Sequence, residues 1–315
     1  MADDKAIQIL SRLSSLKTQR TTWESHWQEV ADFVVPRKAD VTKNRSPGDK
    51  RSEMVFDGTA IHAAELLSAS LHGMLTSAAT SWFSLRYRSE DLNSDDAAME
   101  WLQGVEDVMY KAFSRSNFQE QIHELYHDLI TFGTAVMFID SDDEQQLRFS
   151  TRHIKECYLS EDDKGRVDTV FREFKMPIRA ALKRFGEDKL SSKILERGKK
   201  NPYEQVKLVH AVFERHERDT LKITSENKPF ASIYIEPEEK IILSEKGFDE
   251  NPYTCPRFLK SSFEIGYGRS PSMTALPDIK MLNRMSEVTI RAAQKQVDPP
   301  LLVPDDGYLL PPRTI

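Results

Sequence analysis

Residues 116–135 read SNFQEQIHELYHDLITFGTA, and the way this stretch is read decides the fold and the function class. Ser116 or Asn117 can cap a helix, with Glu120 in the capping-box position. Apolar residues follow at Phe118, Ile122, Leu125, Leu129 and Phe132, spaced four, three, four and three apart, which makes one helical stripe. Gly133 gives the stop. The stretch also contains His123-Glu124-Leu125-Tyr126-His127, the H-E-x-x-H pattern that on a helix can bind zinc through both histidines and use the glutamate as general base. At about 100° per residue both histidines fall roughly 140–180° from the middle of the apolar stripe, so they are expected at the surface or at a subunit contact. Ile130 stands where the longer zinc-protease pattern would continue, and no third ligand is evident.

Working outward, 315 residues suffice for roughly two domains with an ample core. Charged residues make up 30% and the mean hydropathy is −0.54, values of a water-soluble chain. The net charge of −6 argues against a module that grips DNA by bulk attraction. Two cysteines, Cys157 and Cys255, match no metal spacing and no disulfide framework, which points to a reducing compartment. No signal peptide is evident at the start. Residues 60–79, rich in Ala and Ser and interrupted by His62, Glu65 and His72, read as a tightly packed buried helix and not as a membrane span.

Residues 3–35 read as one helix, ended by Pro36, and a basic loop covers 37–53. A second helix starts at Asp57 or Thr59 and runs to about Ser77. Residues 82–87, WFSLRY, alternate apolar and polar and read as a strand. A third helix, capped at 93–95, runs to Phe113 with Leu102, Val105, Met109 and Ala112 inward. After residue 135 the period shifts toward two: AVMFI, LRFS, CYL and DTVFREF are strand candidates, with a turn at Asp163-Lys164-Gly165. Short helices are expected at 177–185 and 189–196, then strands at 207–216, 231–236 and 240–245. The acidic clusters at 140–144 and 161–163 lack calcium-loop spacing and read as solvated turns.

Ser270 and Pro271 open the last helix, in which Pro277 predicts a kink or restart. Met281, Leu282, Met285, Val288, Ala292 and Ala293 share an apolar face. Lys280, Arg284, Arg291 and Lys295, with Glu287 among them, form a basic stripe on the other side. That stripe is either a solvated face or a surface that meets phosphates or a neighbouring subunit. Five prolines in the last 17 residues preclude further helix. No phosphate-binding glycine loop and no G-x-S-x-G nucleophile elbow occur.

The ordered set of segments resembles the head-to-tail connecting, or portal, proteins of short-tailed phages. The residues that carry the resemblance are Trp23 and Trp27 in the first helix, 55–87 (VFDGTAIHAAELLSASLHGMLTSAATSWFSLRY), 116–139, 170–174 (VFREF) and 266–307. The resemblance implies an α+β, mainly helical fold with a wing, stem helices and a small β-containing clip. It further implies a ring of twelve subunits at one capsid vertex, through which double-stranded DNA is packaged and ejected. The implied partners are the subunit itself, capsid or scaffold protein, the terminase motor and a tail adaptor. No membrane and no cofactor are implied; the location is the virion, with the host cytoplasm during assembly.

Carried over, residues 1–175 look like wing with a β patch, 176–199 like first stem helices, 200–265 like clip and 266–297 like the second stem helix. Residues 298–315 look like the start of a tunnel loop cut short, since family members continue through further wing and a crown. Lys280, Arg284, Arg291, Lys295, Asp305 and Asp306 are the candidates for lining the DNA channel. The competing reading is a zinc-dependent hydrolase using His123 and His127 as ligands and Glu124 as base.

Overall fold

The computed structural model describes residues 4–46, 48–142, 146–219 and 224–299. The fold is α+β and mainly helical, as the resemblance implies. Helix α1 (Asp4–Val34) is followed by a 3₁₀ turn, Pro36–Lys38, then α2 (Thr59–Leu75), the short α3 (Glu90–Asn93), α4 (Asp96–Arg115) and α5 (Phe118–Phe132). Strands β1 (Val136–Asp142), β2 (Gln146–Arg152), β3 (Cys157–Glu161) and β4 (Val167–Pro177) come next, then α6 (Ile178–Phe185) and α7 (Ser192–Lys200). Strands β5 (Gln205–Glu214), β6 (Phe230–Glu236), β7 (Ile241–Phe248) and β8 (Tyr253–Thr254) precede the last helix, α8 (Pro271–Val297). Two antiparallel sheets result, one of three strands in the order β2-β1-β8 and one of five in the order β3-β4-β5-β6-β7. The larger sheet takes strands from both sides of the boundary expected at residue 175.

Helix α1 holds the body together because its two halves bury against different partners. Ala6, Ile9, Leu13 and Leu16 lie on the larger sheet against Phe171, Val209, Ala211 and Ile233. Further along, Trp27, Val30 and Val34 pack with Ile130 and Phe132 of α5, Val170, and Met273 and Leu276 of α8. Buried Trp27 also donates its indole N–H to the Phe132 carbonyl at 3.0 Å, so its polar atom is satisfied. Arg20, buried between these halves, donates to the carbonyls of Ile154, Cys157 and Lys155 at 2.8, 2.6 and 3.0 Å and pairs with Glu24. It thereby caps the turn before β3, which explains a charge in the core. Helices α6 and α7, with Leu190 between them, cover the far end of the larger sheet through Ile178, Ala181 and Ile194.

Some of these expectations meet a different outcome in the structure. Residues 82–87 are not a strand, because side chains take the place of a partner strand. The Tyr110 hydroxyl bridges Trp82 N, Phe83 N and Phe83 O, Glu106 accepts from Leu85 N, and Asn93 bonds both backbone groups of Tyr87. Helix α2 is not buried all round: only Ala64 and Ser68 are, while Leu66, Leu67, Met74 and Leu75 are exposed. It has one neighbouring layer, so one narrow stripe of small residues suffices. Within the described residues α8 runs unbroken through Pro277. The acidic turn at 161–163 is only partly solvated, since the side chain of Glu161 is covered and pairs with Arg257 and Lys260.

Candidate nucleic-acid interface

The placement of α8 begins at the end of α5. Gly133 ends α5 at φ +76°, a left-handed conformation that glycine adopts without a Cβ clash. A Cβ here would lie 2.3 Å from the Gly268 carbonyl oxygen, so the two backbones touch as closely as they can. Phe258 N donates to Gly133 O at 2.9 Å and Gly268 N to the Thr134 hydroxyl at 2.8 Å. The buried Ser270 hydroxyl donates to Thr131 O at 2.9 Å and accepts from Met273 N at 3.0 Å, so one side chain caps α8 and ties it to α5. Residues 116–135 thus anchor the basic helix.

From this anchor α8 runs along the body as far as Glu287 and is exposed beyond it. Its buried line is Met273, Leu276, Asn283 and Glu287. Asn283 accepts from Phe56 N and Asp57 N at 2.7 and 3.1 Å and donates to Met54 O at 2.9 Å, so the loop before α2 grips the helix midway. The expected apolar face points the other way, and Met281, Met285 and Val288 are 59%, 60% and 50% exposed. The helical phase makes this unavoidable: once Leu276, Asn283 and Glu287 face the body, the apolar residues lie around toward solvent.

The basic stripe flanks the buried line. Lys280 pairs with Glu29 of α1 at 2.5 Å. Arg284 and Arg291 both reach Glu287 at 2.6 Å from one turn below and one turn above. Both arginines are exposed, so these pairs hold little energy and leave the guanidinium groups available to another anion. Lys295 is exposed, with no ion-pair partner among the described residues. Asp305 and Asp306 lie outside the described residues.

The HELYH segment holds no surface histidine pair. Helix α5 is covered on more than one side, by α2 and by the 3₁₀ turn after α1, so its polar face is buried as well. His127 is 5% exposed, a correction to the expected surface or subunit-contact position. His123 is half-buried beside His72, with ring centres 5.4 Å apart. Glu124 is taken by Arg37 at 2.9 and 3.1 Å and by Lys38, which also pairs with buried Asp128. Burial opposes the Glu124 charge, yet the hydrogen bonds from Arg37 and Lys38 hold its carboxyl down at about 2. A glutamate so held is a poor general base. Burial, and then Arg37 and Lys38, push His127 down to about 4. Among the described residues no group of three or more His, Cys, Asp or Glu is arranged to hold a metal ion. Nor does either cysteine suit nucleophilic work, since burial pushes Cys157 up to about 12 and Cys255 well above its usual value.

Helices α2, α4 and α8 carry large apolar side chains that the rest of the described residues leave uncovered. A model of the bacteriophage head to tail connecting protein family matches residues 6–315, and the chain belongs to that family. The chain is 32% identical over 300 residues to the probable portal protein of Bordetella phage BPP-1, covering 94% of this chain and 54% of that protein. It is 31% identical over 308 residues to the portal protein of Salmonella phage epsilon15, covering 96% of this chain and 55% of that protein. The chain spans about half the length of the curated relatives it matches.

Sequence reading missed Asn283, Glu29 and the Lys38–Asp128 pair as the groups that position these helices. A polar residue in line with Leu276 on α8 is the signal for Asn283. The other two are long-range pairs with no local signal.

Proposed function

We propose that the chain is a portal subunit that forms a ring at one capsid vertex, through which double-stranded DNA is packaged and ejected. The observation that carries this reading is α8: it is anchored at one end, is exposed on all sides beyond Glu287, and shows solvent an apolar face beside a basic stripe. In a ring the apolar face of each α8 packs on the neighbouring subunit. Lys280, Arg284, Arg291 and Lys295 then stand toward the channel and engage phosphates briefly, without sequence readout. Glu287 tempers the two arginines, and the overall acidic chain repels DNA from most of the wall. A conduit needs weak contacts, since tight ones stop sliding.

In this proposal residues 1–175 form the wing, 176–199 and 266–297 the stem, and 200–265 the clip. Asp305 and Asp306 belong to a tunnel loop. Capsid or scaffold protein, a terminase motor and a tail adaptor are the partners, and the role is non-catalytic. The subunit resides in the virion after assembly in the host cytoplasm. Among the described residues no helix is long and apolar enough to cross a membrane. Replacing Lys280, Arg284, Arg291 and Lys295 together by Gln tests the channel assignment. Rings should still form while DNA packaging falls, and unchanged packaging would sink the assignment.

A further inference from the structure

The seam between the two sheets holds a cavity of about 170 Å³ that the conduit role does not use. Strand alternation builds it. On the smaller sheet Asp140 stands opposite Arg148, and Arg148 shares its face of β2 with Arg152. On the larger sheet Arg172, His210 and Tyr234 are directly paired across β4, β5 and β6, which places three polar side chains in one row. Helix α6 adds Arg184 at the rim. Four guanidinium groups and one carboxylate therefore line a single small cavity.

The charges do not cancel inside it. Asp140 lies opposite Arg148, which has a partner of its own. Arg172 donates to Glu156 at 2.8 Å. Arg184 donates to the Tyr234 hydroxyl at 2.6 Å, a neutral group. Arg152 has no ion-pair partner among the described residues, and its Nε is buried without a hydrogen-bond partner. Buried donors of this kind are rare without an unseen partner. Burial first, then Arg184, Arg172 and Arg152, push His210 down to about 3, so the arginine fields converge on one point. Neutral His210 is held by Ser232 at 2.9 Å and by the Tyr253 hydroxyl at 3.2 Å, and adds no charge.

We propose that this seam binds a phosphate-class oxyanion, held by Arg152, Arg172 and Arg184 with help from the Tyr234 hydroxyl. Guanidinium forks suit tetrahedral oxyanions, and several forks around one cavity suit them better than a single carboxylate. A cavity equal to about six waters, at roughly 30 Å³ each, admits one phosphate group and excludes a duplex. The anion would cross-link β2, β4 and α6, and so join the two sheets. Its source is either free phosphate or the terminal phosphate of a nucleic-acid strand.

The test titrates the full chain with inorganic phosphate at constant ionic strength, read by phosphorus NMR line width and by thermal midpoint. Saturable binding is expected, with a rise of about 2 °C in the midpoint at a tenfold excess over Kd. Arg152→Gln should weaken binding at least about tenfold and leave the phosphate-free midpoint unchanged or higher, because an unpaired buried charge is gone. Arg184→Gln, at an exposed position, repeats the test without risk to folding. In a second arm, binding of a short duplex only when it bears a 5′-phosphate, with competition by inorganic phosphate, assigns the nucleic-acid source. Equal behaviour of both duplexes assigns free phosphate. The proposal is overturned if phosphate binding does not saturate, if chloride reproduces the shift, or if wild type and both variants respond alike.

Discussion

Helices α5 and α8 carry the same kind of sequence pattern and meet opposite fates. Both have an apolar stripe and a charged stripe at helical spacing. In α5 the polar side is buried too, with Glu124 and Asp128 sharing Lys38 and His127 5% exposed. In α8 the apolar side is bare, and the body-facing line ends in Asn283 and Glu287. Periodicity reports that a helix has two faces. It does not report how many neighbours the helix has, or whether they belong to the same chain. Helix α5 has neighbours on several sides within the chain, and α8 beyond Leu276 has few.

The sharpest way to break this contrast is at the junction of the two helices. Gly133→Val puts a β-branched side chain into the Gly268 backbone at a left-handed φ. It should cost at least about 3 kcal/mol in denaturant unfolding, and a loss below about 1 kcal/mol would mean that α8 is not anchored there. Trp27→Ala opens the core beneath the same junction, and a loss of about 3–5 kcal/mol is expected.

Asp128→Ala leaves Lys38 half-buried with Glu124 as its remaining acid, and should cost about 2 kcal/mol at neutral pH. The pH dependence follows from the same cluster. In the folded chain His127 titrates at about 4 against an ordinary 6.5, so the unfolded chain takes up that proton first. Its contribution is whole above about 6.5 and is lost as the pH falls toward 4. His153, at about 4, and His210, at about 3, act in the same direction, each through burial. Asp128 opposes them, because burial raises it to about 6 and the folded state protonates first. With His26, which burial also lowers, these histidines outnumber the one raised carboxyl and predict a net loss of stability between pH 6.5 and 4. His127→Leu should flatten that loss, as read from thermal midpoints across the range.

The smallest expected effect on the single chain is the most telling about α8. Met285→Ser or Val288→Ser should change monomer stability by no more than about 0.5 kcal/mol, as at other exposed sites, and yet impair ring formation. An equal change at Leu125 of α5 should cost about 2 kcal/mol or more, since that side chain is 4% exposed.

Much of the fold was legible in the sequence where local chemistry decides the outcome. Ser270 and Pro271 start α8, Gly133 stops α5, and the period-two runs after residue 135 became β1 to β7. Legibility failed where a distant group replaced the expected partner. The alternation in 82–87 met Tyr110, Glu106 and Asn93 in place of a strand. The apolar residues of α2 and α8 marked faces that the other described residues do not cover. The HELYH pattern was legible as letters alone, because Arg37 and Lys38, which hold Glu124, lie 87 and 86 residues earlier in the chain. The basic stripe could be read as a stripe, but its pairing with Glu29 could not.

The central claim is that α8 completes itself only in an assembly around DNA. Electron microscopy of the purified protein tests this most directly. The account predicts twelvefold rings with an open channel, α8 along the channel, and Met281, Met285 and Val288 covered by the neighbouring subunit. Particles that remain monomeric under all assembly conditions, or rings in which α8 lies at the outer edge with that face still bare, would contradict it.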